Sequence, residues 1–170
     1  MRCPKRAMSP ADGRGAGPEG SLLDGTGLRI GVATGRFNGN ITELLADGCR
    51  ERLAKLGVAG NDVVEVGVPG AFELPLAAQA LIRDADVDAV VCLGAVIRGE
   101  TSHYDFVAGE CAAGLQRVQL DTGRPVVFGV LTTENVEQAL SRAGGGHGHK
   151  GEEAAETAVE MVRLLQSIRR

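Results

Sequence analysis

The segment Arg98-Gly-Glu-Thr-Ser-His103 packs a guanidinium, a carboxylate, two hydroxyls and an imidazole into one short run. An imidazole that titrates near neutrality can both give and take a proton, which makes His103 a candidate proton shuttle; an N-cap or hydrogen-bonded structural role stands beside that reading. The backbone N–H groups from Arg98 to Thr101, at what reads as a helix start, suit an anion such as phosphate. Arg142 and Lys150 flank a glycine-rich turn and offer further cationic donors, Arg142 being the better shaped for bidentate phosphate contact; helix-dipole partners or solvated charges are the plainer alternative. Phe37, near Gly35 and Gly39, is either a surface phenylalanine or a flat apolar face for a heteroaromatic ring. Glu73 opens a helical pattern, where the helix dipole alone favours it, and its functional reading is an acceptor for several hydroxyls of a polyol. His147 and His149 lie in a glycine turn without a carboxylate or cysteine set, so a flexible polar turn is expected there and no metal. No Walker A motif and no G-x-G-x-x-G after a strand occurs.

These groups need a scaffold. Asp88-Ala-Val-Val-Cys-Leu-Gly94 is an apolar, β-branched run that suits a strand buried on both faces, and it ends just before the Arg98 loop. Leu28–Ala33, Asp62–Val68 and Pro125–Leu131 read as three more strands. Helical spacing joins Ile41, Leu44, Leu45, Cys49, Leu53 and Leu56, with Asn40 and Glu43 resembling a capping box and Gly57 ending the pattern. A second helix runs to about Arg83, with Pro75 tolerable in its first turn. A third carries Phe106, Val107, Cys111, Leu115 and Val118. Thr132 and Thr133 are expected to cap a helix holding Val136, Ala139 and Leu140, and a long last helix carries Ala154, Ala158, Met161, Leu164, Leu165 and Ile168 on one side.

Four strands alternating with helices predict a single-domain α/β chain, a flavodoxin-like three-layer sandwich whose four-stranded parallel sheet has helices on both faces. The loops after the first three strands then leave one edge of the sheet, and Phe37, Glu73 and His103 are expected to converge there. The Gly-, Pro- and Arg-rich residues 1–24 read as a flexible arm, and 25–170 as the domain. At 170 residues, 44% hydrophobic and 24% charged, the chain is of ordinary globular composition, and a net charge of -4 argues against a nucleic-acid surface. Cys3, Cys49, Cys92 and Cys111 lack C-x-x-C spacing and read as reduced thiols of a cytoplasmic protein. No signal peptide and no membrane helix is expected.

Phe37-Asn38 with Ile41-Thr42, Val68-Pro-Gly-Ala-Phe-Glu-Leu-Pro75, Gly94-Ala-Val-Ile-Arg-Gly-Glu-Thr-Ser-His-Tyr-Asp105, Phe128-Gly-Val-Leu-Thr132, Glu137-Gln-Ala139 and Lys150-Gly151 follow one another from about Leu28 to the C-terminus. Together they resemble the lumazine synthase (6,7-dimethyl-8-ribityllumazine synthase) family of riboflavin biosynthesis. The resemblance implies condensation of 5-amino-6-(D-ribitylamino)uracil with 3,4-dihydroxy-2-butanone 4-phosphate, releasing phosphate and water, with no metal or organic cofactor. It implies that Phe37 stacks on the pyrimidine, that Ala71, Phe72 and Glu73 hold the ribityl chain, that Ala95, Val96 and Ile97 line the ring, and that Phe128 closes that pocket. Glu100 and Thr101 would offer donors to the phosphate, with Arg142, entering from a neighbouring subunit, as its main cation and Lys150 assisting; His103 takes the place of the proton-transfer residue. The family forms homopentamers, some stacked as decamers or closed into icosahedral shells, and riboflavin synthase is the protein partner the resemblance suggests. The sequence departs from the family at His149, where Asn is usual before Lys-Gly, at Glu152, where a bulky residue is frequent, and in its long arm. Two rival readings are a flavodoxin-like carrier, which would want a Ser/Thr-rich loop where Gly35-Arg-Phe-Asn-Gly39 stands, and a catalytically dead container, which predicts losses among Phe37, Glu73, His103, Arg142 and Lys150.

Overall fold

A computed structural model describes residues 22–169; the expected arm lies, up to residue 21, outside the described residues. Strands β1 (Ile30–Gly35), β2 (Val63–Val68), β3 (Ala89–Ile97) and β4 (Val126–Thr133) form one parallel sheet in the order β2-β1-β3-β4. Helices α1 (Gly39–Lys55), α4 (Val136–Leu140) and α5 (Lys150–Ile168) cover one face, and α2 (Leu74–Asp84) with α3 (His103–Thr122) cover the other.

The unbroken apolar run of β3 has a direct cause: Val91, Leu93 and Ala95 enter the core under α1 and α5, while Val90, Cys92 and Val96 enter the core under α2 and α3. A strand buried on both faces has no position to spare for a polar residue. Edge strand β2 is only partly buried. The layers meet closely where glycines allow it. A Cβ on Gly114 would lie 2.7 Å from Pro75 Cγ, so α3 crosses α2 at its first turn, where Pro75 sits as expected. A Cβ on Gly151 would overlap the backbone carbonyl of Leu45, so the start of α5 rests on the main chain of α1. Arg52 of α1 pairs with Glu156 of α5 at 2.8 Å across the same contact.

Several local expectations are corrected. The expected Asn40–Glu43 capping box does not form: α1 begins at Gly39, and its N-cap is Asn38, in the left-handed region at φ 58° without a side-chain cap bond. Thr132 and Thr133 belong to β4, and the cap of α4 is Asn135, whose side chain accepts from the Gln138 N–H at 2.9 Å. β3 runs three residues past Gly94, because β4 stays paired with it as far as Ile97 and Thr133. The glycine turn is a small antiparallel hairpin of β5 (Ala143–Gly145) and β6 (Gly148–His149). Cys49, Cys92 and Cys111 are free, buried thiols, and among the described residues no helix is long and apolar enough to cross a membrane.

Candidate active site

The sheet reverses its winding at β1, with β2 on one side and β3 on the other, and the crevice beyond the carboxyl ends of such strands is where an open α/β sheet binds ligands. A cavity of about 630 Å³ opens there, well within the range of small-ligand sites. Its wall takes Phe37 from the loop after β1, Ala71, Phe72 and Glu73 from the loop after β2, Ala95, Val96 and Ile97 from the end of β3, and Thr101 and His103 from the loop into α3.

Hydrogen bonds set these loops. Arg36 N–H donates to Val68 O at 2.8 Å and Phe37 N–H to Pro69 O at 3.0 Å, so the ladder between β1 and β2 continues into both loops and brings Phe37 alongside Gly70. Asn38 then turns through its left-handed backbone, and its Nδ2 donates to Ala95 O at 2.9 Å, where β1 has already left β3. Short polar side chains tolerate that conformation better than others. The ring of Phe37 is 72% exposed, an aromatic face held open by backbone bonds. Phe72 is 57% exposed beside it in the lining, on the one-turn helix Ala71–Glu73. The Glu73 carboxylate accepts from Gly70 N–H through Oε2 at 2.9 Å. That bond orients the group and leaves Oε1 for a ligand.

At the far side, Arg98 N–H donates to Thr133 O at 2.9 Å, and His103 N–H reaches Thr101 Oγ1 at 3.4 Å. Among the described residues, the N–H groups of Gly99, Glu100, Thr101 and Ser102 have no hydrogen-bond acceptor. Of these free donors, Gly99 and Thr101 line the cavity, where a backbone N–H suits an anion. The Arg98 side chain is not free to join them. Its guanidinium meets Asp105 and Glu134, each at 3.2 Å, and lies 4.0 Å from the centroid of the Tyr104 ring. Asp105 first, then Glu134, push its pKa up from the ordinary arginine value by hydrogen bonding. Arg98 therefore ties β3, α3 and the loop after β4 together. Glu100 is exposed and outside the cavity lining. His103, the first residue of α3, is likewise exposed, with its side chain free of any protein hydrogen bond among the described residues.

Phe128, Arg142 and Lys150 lie elsewhere. They line a second cavity of about 320 Å³ between β4 and α5, which shares no residue with the first. Phe128 pairs in register with Cys92, three residues below Ala95, so within one protomer it does not close the pocket of Ala95, Val96 and Ile97. At about 3.3 Å per residue it sits roughly 10 Å down the strand. Arg142 Nη1 donates to Gln138 O at 2.9 Å, and Lys150 Nζ lies 2.6 Å from Glu153 Oε2. The main chain joins the two cations, with Lys150 N–H donating to Arg142 O at 2.8 Å. Among the described residues, no three His, Cys, Asp or Glu side chains gather as a metal site would need. The role of Asn38 escaped sequence reading, although an Asn-Gly pair after a strand is a signal for a left-handed turn.

Fold and cavity together define a flavodoxin-like α/β protein with a small-molecule-sized cavity at the sheet crevice. The chain belongs to the 6,7-dimethyl-8-ribityllumazine synthase family, whose model matches residues 27–166. The 6,7-dimethyl-8-ribityllumazine synthases of two strains of Thermus thermophilus are each 54% identical to it over 149 residues, which cover 88% of this chain and 95% of theirs. It is a transferase of riboflavin biosynthesis that forms the lumazine ring.

Proposed function

We propose that the cavity condenses 5-amino-6-(D-ribitylamino)uracil with 3,4-dihydroxy-2-butanone 4-phosphate, releasing phosphate and water, and that each working site is shared by two protomers. The observation that supports this is the division of the candidate residues. Ring face, polyol acceptor, loop N–H donors and imidazole surround one cavity, while the two cations and Phe128 surround another on the same chain. Charge-assisted bonds to phosphate are stronger than those from neutral N–H donors, and Arg142 brought to this loop by a neighbour supplies them.

In this reading Phe37 stacks on the pyrimidine, with Ala95, Val96 and Ile97 along its edge and the neighbour's copy of Phe128 closing the pocket. Glu73 Oε1 accepts ribityl hydroxyls, with Ala71 and Phe72 beside the chain. The N–H groups from Gly99 to Ser102 and the Thr101 hydroxyl hold the phosphate against Arg142, with Lys150 in support. The amine attacks the ketone, water leaves to give an imine, phosphate is eliminated, and the second nitrogen closes the ring with loss of water. Each step moves a proton, and His103 at the cavity wall is placed to carry it. Much of the acceleration comes from holding both reactants in register. The assembly is a homopentamer at least, and riboflavin synthase, which would consume the product, is a candidate partner. The buried free thiols favour a reducing, cytoplasmic setting.

Mixing the two substrates with wild-type protein is expected to yield the absorbance and fluorescence of the lumazine product. Phe37→Ala and Arg142→Ala should each be nearly inactive alone. Co-assembled in equal amounts, they should recover activity, because random mixing leaves about one shared site in four with both faces intact. A co-assembled oligomer no more active than its parents would refute the shared site.

A further inference from the structure

The β5–β6 hairpin carries Arg142 immediately before its first strand and Lys150 immediately after its second. Any tilt of the hairpin therefore moves both cations. Its last residue, His149, pairs with Ala143 and packs its imidazole into α1 at Gly48. A Cβ on Gly48 would lie 2.7 Å from His149 Nδ1 and still closer to Cε1 and Nε2, so the ring occupies the space a side chain at position 48 would fill. Gly144 backs the other side, where a Cβ would stand 3.3 Å from His149 Cδ2. His149 Nδ1 is buried without a hydrogen-bond partner among the described residues. A ring that forgoes a hydrogen bond while filling a notch is held there by shape.

We propose that His149 is a positioning residue, keyed into the Gly48 notch so that the hairpin presents Arg142 and Lys150 at the angle phosphate binding requires. The inference rests on the assignment of those two cations to the phosphate-bearing substrate. The notch lies on α1, which shares no residue with the lining of either cavity, and His149 is the hairpin side chain seated in it.

Gly48→Ala pushes a methyl group into the ring and tests the idea through steady-state kinetics and inhibition by inorganic phosphate. The expected result is a roughly tenfold rise in KM for the butanone phosphate and in the inhibition constant of phosphate, in line with the cost of small misplacements, with KM for the pyrimidine within about twofold. Gly48→Ala/His149→Ala removes the clash and should return both constants to those of His149→Ala alone. Equal changes in the two KM values, or a double variant no better than Gly48→Ala, would overturn the proposal. Should Gly48→Ala fail to fold, His149→Ala decides: an unchanged phosphate inhibition constant refutes it, and a selective rise of a few fold supports it. Arg142→Ala is the control on the underlying reading. If it leaves phosphate inhibition unmoved, the cation assignment fails; if it weakens phosphate while Gly48→Ala does not, only the role of His149 fails.

Discussion

Asn38→Ala tests how the ring-binding loop is held. The wild-type side chain satisfies the carbonyl of Ala95, a residue 4% exposed, through a 2.9 Å bond, and its backbone sits at φ 58° and ψ 44°. Losing that bond and leaving the carbonyl short of a donor costs about 1–2 kcal/mol. Placing alanine in the left-handed region adds about 1 kcal/mol. The sum, about 2–3 kcal/mol, corresponds to a fall of roughly 5–10 °C in melting temperature for a domain of this size. Asn38→Gly loses the same bond but accepts the backbone freely, so it should be the more stable variant by about 1 kcal/mol. Thermal unfolding followed by circular dichroism gives both values. Because Phe37 is the preceding residue, both variants should also raise KM for the pyrimidine substrate more than KM for the butanone phosphate. An Asn38→Ala protein within about 0.5 kcal/mol of wild type, or less stability in Asn38→Gly than in Asn38→Ala, would show that the loop is held by something else.

His103→Ala should slow single-turnover product formation by about 10²-fold or more without abolishing it, since proximity survives the loss of the proton carrier; rates indistinguishable from wild type would remove His103 from the mechanism. Burial pushes the thiols of Cys49 and Cys111 up to about 12 and about 11, Glu65 adding to the rise at Cys49, and burial raises Cys92 as well. An unfolded thiol ionises near pH 8.5, so above that pH the unfolded chain gives up protons that the folded chain keeps. The stability from these thiols is fully present below about pH 8.5 and declines as pH rises toward their folded values. In a Cys3→Ser background, denaturant midpoints should fall between about pH 8.5 and 10.5, and a thiol reagent at pH 8 should label the native protein only at its unfolding rate. Labelling within seconds would contradict the burial.

The alternation of strand and helix was legible in the sequence because it depends on local periodicity: β-branched runs of strand length, apolar residues at helical spacing, and a proline confined to a first helical turn. The candidate residues were legible for a different reason, since motifs such as Val68 to Pro75 and Gly94 to Asp105 keep chemical groups at set distances from strand ends. Asn38 and Asn40 show where that legibility ends. Both are plausible caps for α1, and the choice went to Asn38 because its acceptor, Ala95 O, lies 57 residues away. The extra length of β3 was likewise decided by its pairing with β4, which no local window contains.

Local periodicity determined the alternation of strand and helix, and the motifs from Phe37 to Lys150-Gly151 carried the resemblance to the lumazine synthase family from which the enzyme reading came. Phe37, Glu73 and His103 share a cavity, as their places after successive strands led one to expect; tertiary structure alone decided that Phe128, Arg142 and Lys150 line a different one, and that His149 fills a notch at Gly48. Local propensity sets the elements, but which elements become neighbours follows from burying both faces of one sheet at once, a condition on the whole chain.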